Sequence, residues 1–429
     1  GGWHKPSQYY FPEIRSLGGA IFVMSFVLYP YVYLLARSAF LEQSVSMIEA
    51  GRSLGKGIFR TFFSITLPSA RPALMVGTSL VLMETMNDYG TVDFFAVSTM
   101  TYGLVDVWLG MNNIAGGAQI AASLLIFILL LVYLEKLSRR RQKVYQKENS
   151  RFSRLPETKL NGFAGTVALI YCSAPILIGF VLPLGILINL AIAYFEVSWT
   201  PEFRTLTINS LALSTVASLI VVGLAIFFAY CRRMTNGIFL GGGISIASLG
   251  YAMPGPVIAI GILIPFAAFD NWINLYTVKW FGVSVGLILS GTIFTVIFAY
   301  VVRFLTIGQG QIQSSLDKIS KSQDMAALSL GYSSFDIVRK FHLPLLRGGI
   351  AATLIIVFVD CMKELPATLI LRPFNFNTLA VHVYQFASDE MLGHAALGCL
   401  FIVSSGLIPL FLLNFAINSS RELVNARLR

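Results

Sequence analysis

Four carboxylates fall in or beside apolar stretches of this chain, in two pairs of equal spacing. Glu84 and Asp88 are four residues apart, as are Asp360 and Glu364, and each acid lies 276 residues from its counterpart. Four-residue spacing puts both acids of a pair on one helical face. A charge at mid-bilayer costs about 2.5–3.5 kcal/mol on insertion scales, so these side chains must face other helices or a wet cavity. Two chemistries fit. Carboxylate oxygens suit hard cations, so the acids could line a pathway for such an ion. Alternatively Lys363 pairs with Asp360 or Glu364 and the remaining acids cap polar gaps between helices.

Other reactive groupings are weak. No HExxH, no Ser–His–Asp candidate set and no Cys-x-x-Cys spacing occurs, which removes the usual residues of a membrane enzyme or a zinc site. Cys172, Cys231, Cys361 and Cys399 are isolated and read as small core residues. His4 is terminal, His342 sits in a polar loop, and His382 and His394 flank a segment with Asp389 and Glu390. These histidines read as ordinary interface residues. Gly51-Arg52-Ser53-Leu54-Gly55-Lys56-Gly57 looks faintly like a phosphate loop. Only three residues separate its first two glycines, and Gly57 stands where Ser or Thr would hold magnesium. No cofactor or metal is assigned to this chain.

A second feature repeats at the same offset. Ala50, Ser53-Leu54-Gly55, Phe59, Leu67-Pro68 and Arg71 recur as Ala326, Ser329-Leu330-Gly331, Phe335, Leu343-Pro344 and Arg347. Each copy is a polar interruption between apolar runs. Small residues on one face of a short helix let another protein approach. Gly55 and Gly331 permit the positive φ that turns the chain after that helix. Leu-Pro opens the next helix, because proline is tolerated in a first helical turn. Isolated identities continue at this offset: Met86 with Met362, Val105 with Val381, Val107 with Val383, Gly117 with Gly393, Leu124 with Leu400 and Ile126 with Ile402.

These residues need membrane helices to position them. Hydrophobic residues make up 56% of the chain and charged residues 12%, which is far from a soluble composition. Nine apolar runs are long enough to span a bilayer as helices, at about 17–40, 72–92, 117–137, 163–190, 207–230, 243–268, 283–305, 346–371 and 393–417. Continuous runs exclude a β-barrel. The fold expected is an all-α integral membrane protein in lipid. The net charge of +10 does not point to nucleic acid. The segments on one side of the spans carry 25 of the 31 Lys and Arg, including Arg139-Arg140-Arg141, Lys143 and Lys147. This positive-inside bias makes 36–71, 303–347 and the C-terminus cytoplasmic.

One repeat period holds six spans, so the two halves share one orientation, a parallel repeat. Half one covers 1–137 with its loop at 48–68 and shows three spans. A basic linker follows at 138–161. Half two covers 162–429 with its loop at 324–344 and shows six. By symmetry three helices are expected before Gly1, an amino-terminal truncation. Pro30, Pro175, Pro183, Pro254, Pro256, Pro265 and Pro366 fall in or near spans; Pro254-Gly255-Pro256 is the break most suggestive of a pathway.

The repeated loop resembles the coupling segment of ABC importer permeases: Glu-Ala-Ala, three residues, Gly, nine residues, Ile-x-Leu-Pro. Half one matches with Glu49-Ala50-Gly51, Gly55, Ile65 and Leu67-Pro68. Half two matches with Met325-Ala326-Ala327, Gly331, Phe341 and Leu343-Pro344. Gly51 departs in half one. Met325, beside Asp324, and Phe341 depart in half two. Four further stretches look like the fused ferric-iron permeases: Pro12-Glu13-Ile14-Arg15-Ser16, the run 28–37 from Leu28 to Arg37, the run 82–91 from Leu82 to Thr91, and Met362-Lys363-Glu364-Leu365-Pro366-Ala367-Thr368-Leu369. The resemblance implies a bacterial inner-membrane permease that works by alternating access. It also implies a periplasmic ferric-binding protein, and a separate ATPase dimer that binds ATP and magnesium and docks on both loops. Fused thiamine permeases share the architecture. An ion-coupled secondary transporter would leave the duplicated loop unexplained, and a membrane enzyme or scaffold would need a constellation the sequence lacks.

Overall fold

The computed structural model describes residues 13–41, 43, 45–140, 160–234, 238–247 and 249–427. Most of the 138–161 linker, with Arg141, Lys143 and Lys147, lies outside them, as do His4 and Pro12. Among the described residues every regular element is helical. Eight helices are long and apolar enough to cross a membrane, and a bent pair makes a ninth. Three belong to the first part of the chain: α1 (Leu17–Leu41), α3 (Ile58–Asn87) and α6 (Ile114–Arg140). Between them lie α2 (Val45–Ser53), α4 (Gly90–Phe94) and α5 (Met100–Val105). Then follow α7 (Phe163–Ala193), α8 (Pro201–Met234), a short α9 (Ile238–Ala247), α10 (Gly255–Phe281) and α11 (Ile293–Leu316). The chain closes with α12 (Lys321–Ser329), α13 (Ser334–Leu345), α14 (Arg347–Met362), α15 (Pro366–Leu371), α16 (Leu379–Ser388) and α17 (Leu392–Arg427).

Four spans differ from their expected positions, the first being 72–92, whose helix α3 ends at Asn87 with α4 separate beyond it. The run expected at 243–268 is broken. Gly241-Gly242-Gly243 lies on α9, and the crossing helix α10 begins only at Gly255. Met253 and Pro254 are extended, with ψ of 131° and 144°. Proline disfavours the helical region for the residue before it and is preorganised for a helix's first turn, so the break precedes Pro254-Gly255-Pro256 and the helix starts there. The next span shifts likewise, from 283–305 to Ile293–Leu316, because Gly282, Gly286 and Gly291 all take positive φ. The run at 346–371 is two helices, α14 and α15, interrupted before Pro366.

The chain forms two compact units, Gly1–Ile186 and Leu187–Arg429, with the boundary inside α7. In the first unit, helices approach closely at glycine. A side chain at Gly77 on α3 would lie 2.9 Å from the Val32 Cα on α1, and one at Gly179 on α7 would lie 2.4 Å from the Phe26 carbonyl oxygen. In lipid, helix association rests on such close packing rather than on a hydrophobic drive. The second unit has a buried core of Leu213, Ala217 and Val221 on α8, Ile258 and Ile262 on α10, Val296, Tyr300 and Phe304 on α11, and Val357 on α14. Gly308 on α11 packs against Val221, and Ala225 and Ala229 of α8 pack with Ile312 and Leu316 of α11.

Candidate functional site

The repeated segments form two hairpins of the same construction. Helix α2 ends at Ser53 and α12 at Ser329. Each is followed by a left-handed glycine, Gly55 at φ +77° and Gly331 at φ +84°. The Gly55 amide donates to the Arg52 carbonyl and the Lys56 amide to the Gly51 carbonyl. The Gly331 and Tyr332 amides donate to the Leu328 and Ala327 carbonyls in the same pattern. This cap satisfies the last carbonyls of each short helix and reverses the chain. The second arm starts at Ile58 or Ser334 and passes through one π-turn, Phe62–Thr66 or Val338–His342. Leu67-Pro68 or Leu343-Pro344 follows directly. Proline has no N–H for the carbonyl four residues back and its ring crowds that carbonyl; a wider turn relieves both.

Both hairpins present apolar side chains to solvent. Leu54 is 80% exposed and Phe59 82%; their counterparts Leu330 and Phe335 are 77% and 72% exposed. The two hairpins thus expose matched apolar side chains on segments otherwise rich in polar residues. The first motif residues face outward as well. Glu49, Ala50, Met325 and Ala326 are exposed, whereas the third residue, Gly51 or Ala327, is buried. Gly51 packs against the second arm of its hairpin. A Cβ on Gly51 would sit 2.6 Å from the Ile65 δ-methyl and 3.3 Å from the Thr61 γ-methyl. In half two Phe341 replaces Ile65 and stacks edge-on against Tyr332 at 5.2 Å, where Ala327 keeps its methyl. The Ile65 methyl ends a flexible side chain. Gly51→Ala is therefore expected to change thermal stability by less than about 1 kcal/mol, because the gain in helix propensity offsets the crowding. A larger loss, not restored by adding Ile65→Phe, would contradict this account.

Half two carries a polar network that ties its hairpin to α8. The Arg233 guanidinium, at the end of α8, donates from Nε to Asp324 Oδ2 at 2.6 Å, from Nη1 to the Leu316 carbonyl at 2.9 Å, and from Nη2 to the Ile319 carbonyl at 3.0 Å. Asp324 Oδ1 lies 2.7 Å from His342 Nε2, and His342 Nδ1 bonds the Tyr230 hydroxyl. A neutral imidazole satisfies both partners: Asp324 only accepts, which assigns the N–H to Nε2, and Tyr230 donates to Nδ1. Burial alone would raise the Asp324 carboxyl; the bonds from Arg233 and His342 outweigh it and hold the carboxyl below the ordinary range. Asp324 is thus engaged internally and does not stand in for the acid missing at Met325. Ser333 caps the second arm by accepting from the Asp336 amide at 3.2 Å, and Lys340 pairs with Asp336 at 3.0 Å.

The carboxylate pairs do not share one helical face. Asp88 lies beyond the end of α3 with ψ 118°, and Glu364 lies beyond α14. Each reaches forward to the next short helix. Asp88 Oδ1 accepts from the Thr91 amide at 2.9 Å, and Glu364 Oε1 accepts from the Ala367 amide at 3.3 Å. Thr91 and Ala367 are 276 apart, so the capping role is itself repeated. Asp360 pairs with Lys363 at 2.9 Å. Glu364 pairs instead with Arg303 at 3.1 Å, with each side chain only 4% exposed. Glu84 stays within α3.

Arg303 was invisible as a site residue in the sequence, because a span at 283–305 places it at the cytoplasmic edge among the loop cations. With the helix at Ile293–Leu316 it is central. The break before α10 folds over this pair: a Cβ on Gly255 would lie 2.6 Å from Glu364 Oε1 and 2.7 Å from Arg303 Nη1. Tyr300 and Thr368 join hydroxyls beside it at 2.6 Å. Asp270, also unremarked in the sequence, is fully buried and accepts from the Leu289 and Ser290 amides, which holds the loop before α11. His382 and His394 sit against Phe386, at ring distances of 4.7 and 5.3 Å. Among the described residues no group of three or more His, Cys, Asp and Glu could hold a metal ion.

The 276 offset holds through α4 and α15 and then slips. The N-capping threonines Thr99 and Thr378 are 279 apart, and the left-handed residues Asn112 and Glu390 are 278 apart. The identities from Val105 with Val381 to Ile126 with Ile402 therefore fall out of register with the elements that carry them. The loop before α16, with Asn375 left-handed, absorbs the extra residues.

Known proteins agree with this architecture. The model of the binding-protein-dependent transport system inner membrane component matches residues 15–144 and 244–429, taking in both hairpins. The chain is 26% identical over 411 residues to Fe(3+)-transport system permease protein FbpB 2 of Haemophilus influenzae, covering 94% of this chain and 77% of that protein. It is 23% identical over 416 residues to ferric transport system permease protein FbpB of Actinobacillus pleuropneumoniae, covering 89% of this chain but 56% of that protein. Molybdenum transport system permease protein ModB of Escherichia coli K12 is 29% identical over 133 residues, 29% of this chain and 58% of that protein. The chain belongs to the family of binding-protein-dependent transport system inner membrane components: it is a multi-pass inner-membrane permease of the ABC importer class, related to ferric transport permeases, and not an enzyme.

Proposed function

We propose that this permease imports ferric iron, delivered by a periplasmic binding protein and driven by a separate ATPase dimer that holds ATP and magnesium. The observation that carries the coupling role is the pair of hairpins, built alike and each exposing a leucine and a phenylalanine. On this reading the hairpins and the C-terminus are cytoplasmic, as the distribution of Lys and Arg favours. The ATPase grips 48–68 and 324–344, and its closure moves the two halves between inward-open and outward-open states. The ferric cargo is supported by relatives of that description that align along most of the chain, whereas molybdenum permeases align with 29–47% of it.

The acids near the spans act mainly as framework on this reading. Asp88 and Glu364 cap helices, Asp360 pairs with Lys363, and Glu364 with Arg303. The test is uptake of radiolabelled ferric iron by cells carrying the permease system. Uptake that disappears when the ATPase is inactivated is the expected result. An ATPase that binds the permease while no iron enters would retain the permease and reject the cargo.

A further inference from the structure

We propose that Arg233, Asp324, His342 and Tyr230 are positioning residues that lock the half-two hairpin to α8, so that this hairpin moves as one body with the span. The proposal deepens the coupling reading and rests on it for its functional consequence.

The network joins four pieces of chain. Arg233 and Tyr230 lie on α8, the Leu316 carbonyl closes α11, Asp324 lies in the first turns of α12, and His342 ends the π-turn that leads to Leu343-Pro344. Both arms of the hairpin are therefore bonded to the same helix. The parts are well matched: Arg233 donates from all three nitrogens, and Asp324 accepts on both oxygens. Arg233 is 7% exposed and His342 4%, so water competes little for these bonds.

Half one is built differently at the same register positions. Ile48 stands for Asp324 and Thr66 for His342, and neither side chain can bridge an arginine to an imidazole. The Thr66 carbonyl accepts from Gln43 at 2.8 Å, a bond to the adjacent loop rather than to a span. The second arm shows the same contrast. Ser333, Asp336 and Lys340 form a cap and an ion pair in half two, while Gly57, Arg60 and Ser64 occupy those positions in half one. Two independent sets of residues thus stiffen the half-two hairpin, while half one uses different ones: Lys56 Nζ donates to Ser64 Oγ at 3.2 Å and Thr61 Oγ1 to the Lys56 carbonyl at 3.3 Å. The exposed faces differ too: the acid Glu49 faces out in half one, where half two has Met325.

Spin labels test this directly in the purified full-length permease. One label replaces Met234 at the end of α8 and the other Leu330 at the hairpin tip, both exposed. In the otherwise unchanged protein, the distance distribution between labels is expected to be narrow and to keep its width and mean when ATPase and ATP are added. Asp324→Asn and Arg233→Gln are each expected to broaden it about twofold, and the double substitution to broaden it no further, since either removes the same tie. The accompanying functional readout is cargo moved per ATP hydrolysed, measured with radiolabelled ferric iron. It should fall in these variants while ATPase co-purification is unchanged; a merely structural role would lower stability and leave the ratio intact. A distribution unaltered by either substitution, in inserted and monodisperse protein, overturns the lock. The permease measured alone decides that question whatever the ATPase does, and failure of the unchanged permease to bind its ATPase would reject the coupling reading separately.

Discussion

Glu364→Ala is expected to destabilise the permease by about 3–5 kcal/mol, enough to prevent its accumulation in the membrane, because it removes the carboxylate from a buried ion pair. Arg303 and Glu364 face each other across 3.1 Å with almost no exposure. Removing the carboxylate leaves the guanidinium central in α11, where charge is costly. It also removes the acceptor for the Ala367 amide at the start of α15. Glu364→Gln keeps an acceptor and should lose less. Replacing both partners, Arg303→Met with Glu364→Gln, is expected to recover much of the loss, because the pair's desolvation penalty vanishes with its charges. Lys363→Ala is the control: Lys363 is half exposed, and its pair with Asp360 is worth less than about 0.5 kcal/mol. Thermal unfolding in detergent, read by loss of monodisperse protein, ranks the four variants. Equal behaviour of Glu364→Ala and Lys363→Ala would show that the buried pair is not what holds α11 to the α14–α15 junction.

Gly55→Glu and Gly331→Glu are expected to abolish ATPase association while leaving the permease inserted. Both glycines are left-handed, and a Cβ there meets no atom within 4 Å. The obstacle is therefore backbone strain and not space. An L-residue in that region costs about 1–2 kcal/mol, which alone corresponds to about a tenfold loss of affinity if it is relieved by opening the cap. The carboxylate adds a charge beside Leu54 and Phe59, or Leu330 and Phe335, which a partner must desolvate. Gly331→Ala separates the two effects, since it carries the strain without the charge and should weaken association only partly. Co-purification of the ATPase at normal yield by both Glu variants would sink the docking assignment. The half-two hairpin, held by Arg233 and His342, should keep its shape better, so Gly331→Glu is expected to act through the docking face and Gly55→Glu partly through loss of the hairpin.

Much of the hairpin geometry was legible in the sequence. Small residues, a glycine and Leu-Pro at fixed spacing define a helix, a left-handed cap and a helix start by local sterics, and the hairpins follow that plan in both halves. Local rules failed where two segments distant in sequence decide the outcome. The acids at 84, 88, 360 and 364 look like two helical faces only while the helices continue through 88 and 364. They stop earlier, because Asp88 and Glu364 are worth more as acceptors for the amides of the next short helix. Span positions failed for a similar reason: 243–254 and 255–268 are equally free of charged residues, and the choice of start falls to Pro254 and to the packing of Gly255 over an ion pair formed by residues 48 and 109 positions further on.

What the sequence by itself determined is the class of molecule. An apolar composition forces membrane helices, since every backbone group in lipid must bond within its own segment. The duplicated motif specifies two hairpins, because cap and turn chemistry are set by neighbours a few residues apart. The tertiary structure alone decided which charges meet. That Glu364 chooses Arg303 over the adjacent Lys363, and that Asp324 turns inward to Arg233 and His342, depends on helices brought together across 61, 91 and 18 residues. Burial then magnifies those pairings far beyond what exposed neighbours achieve, and no spacing rule along the chain encodes that proximity.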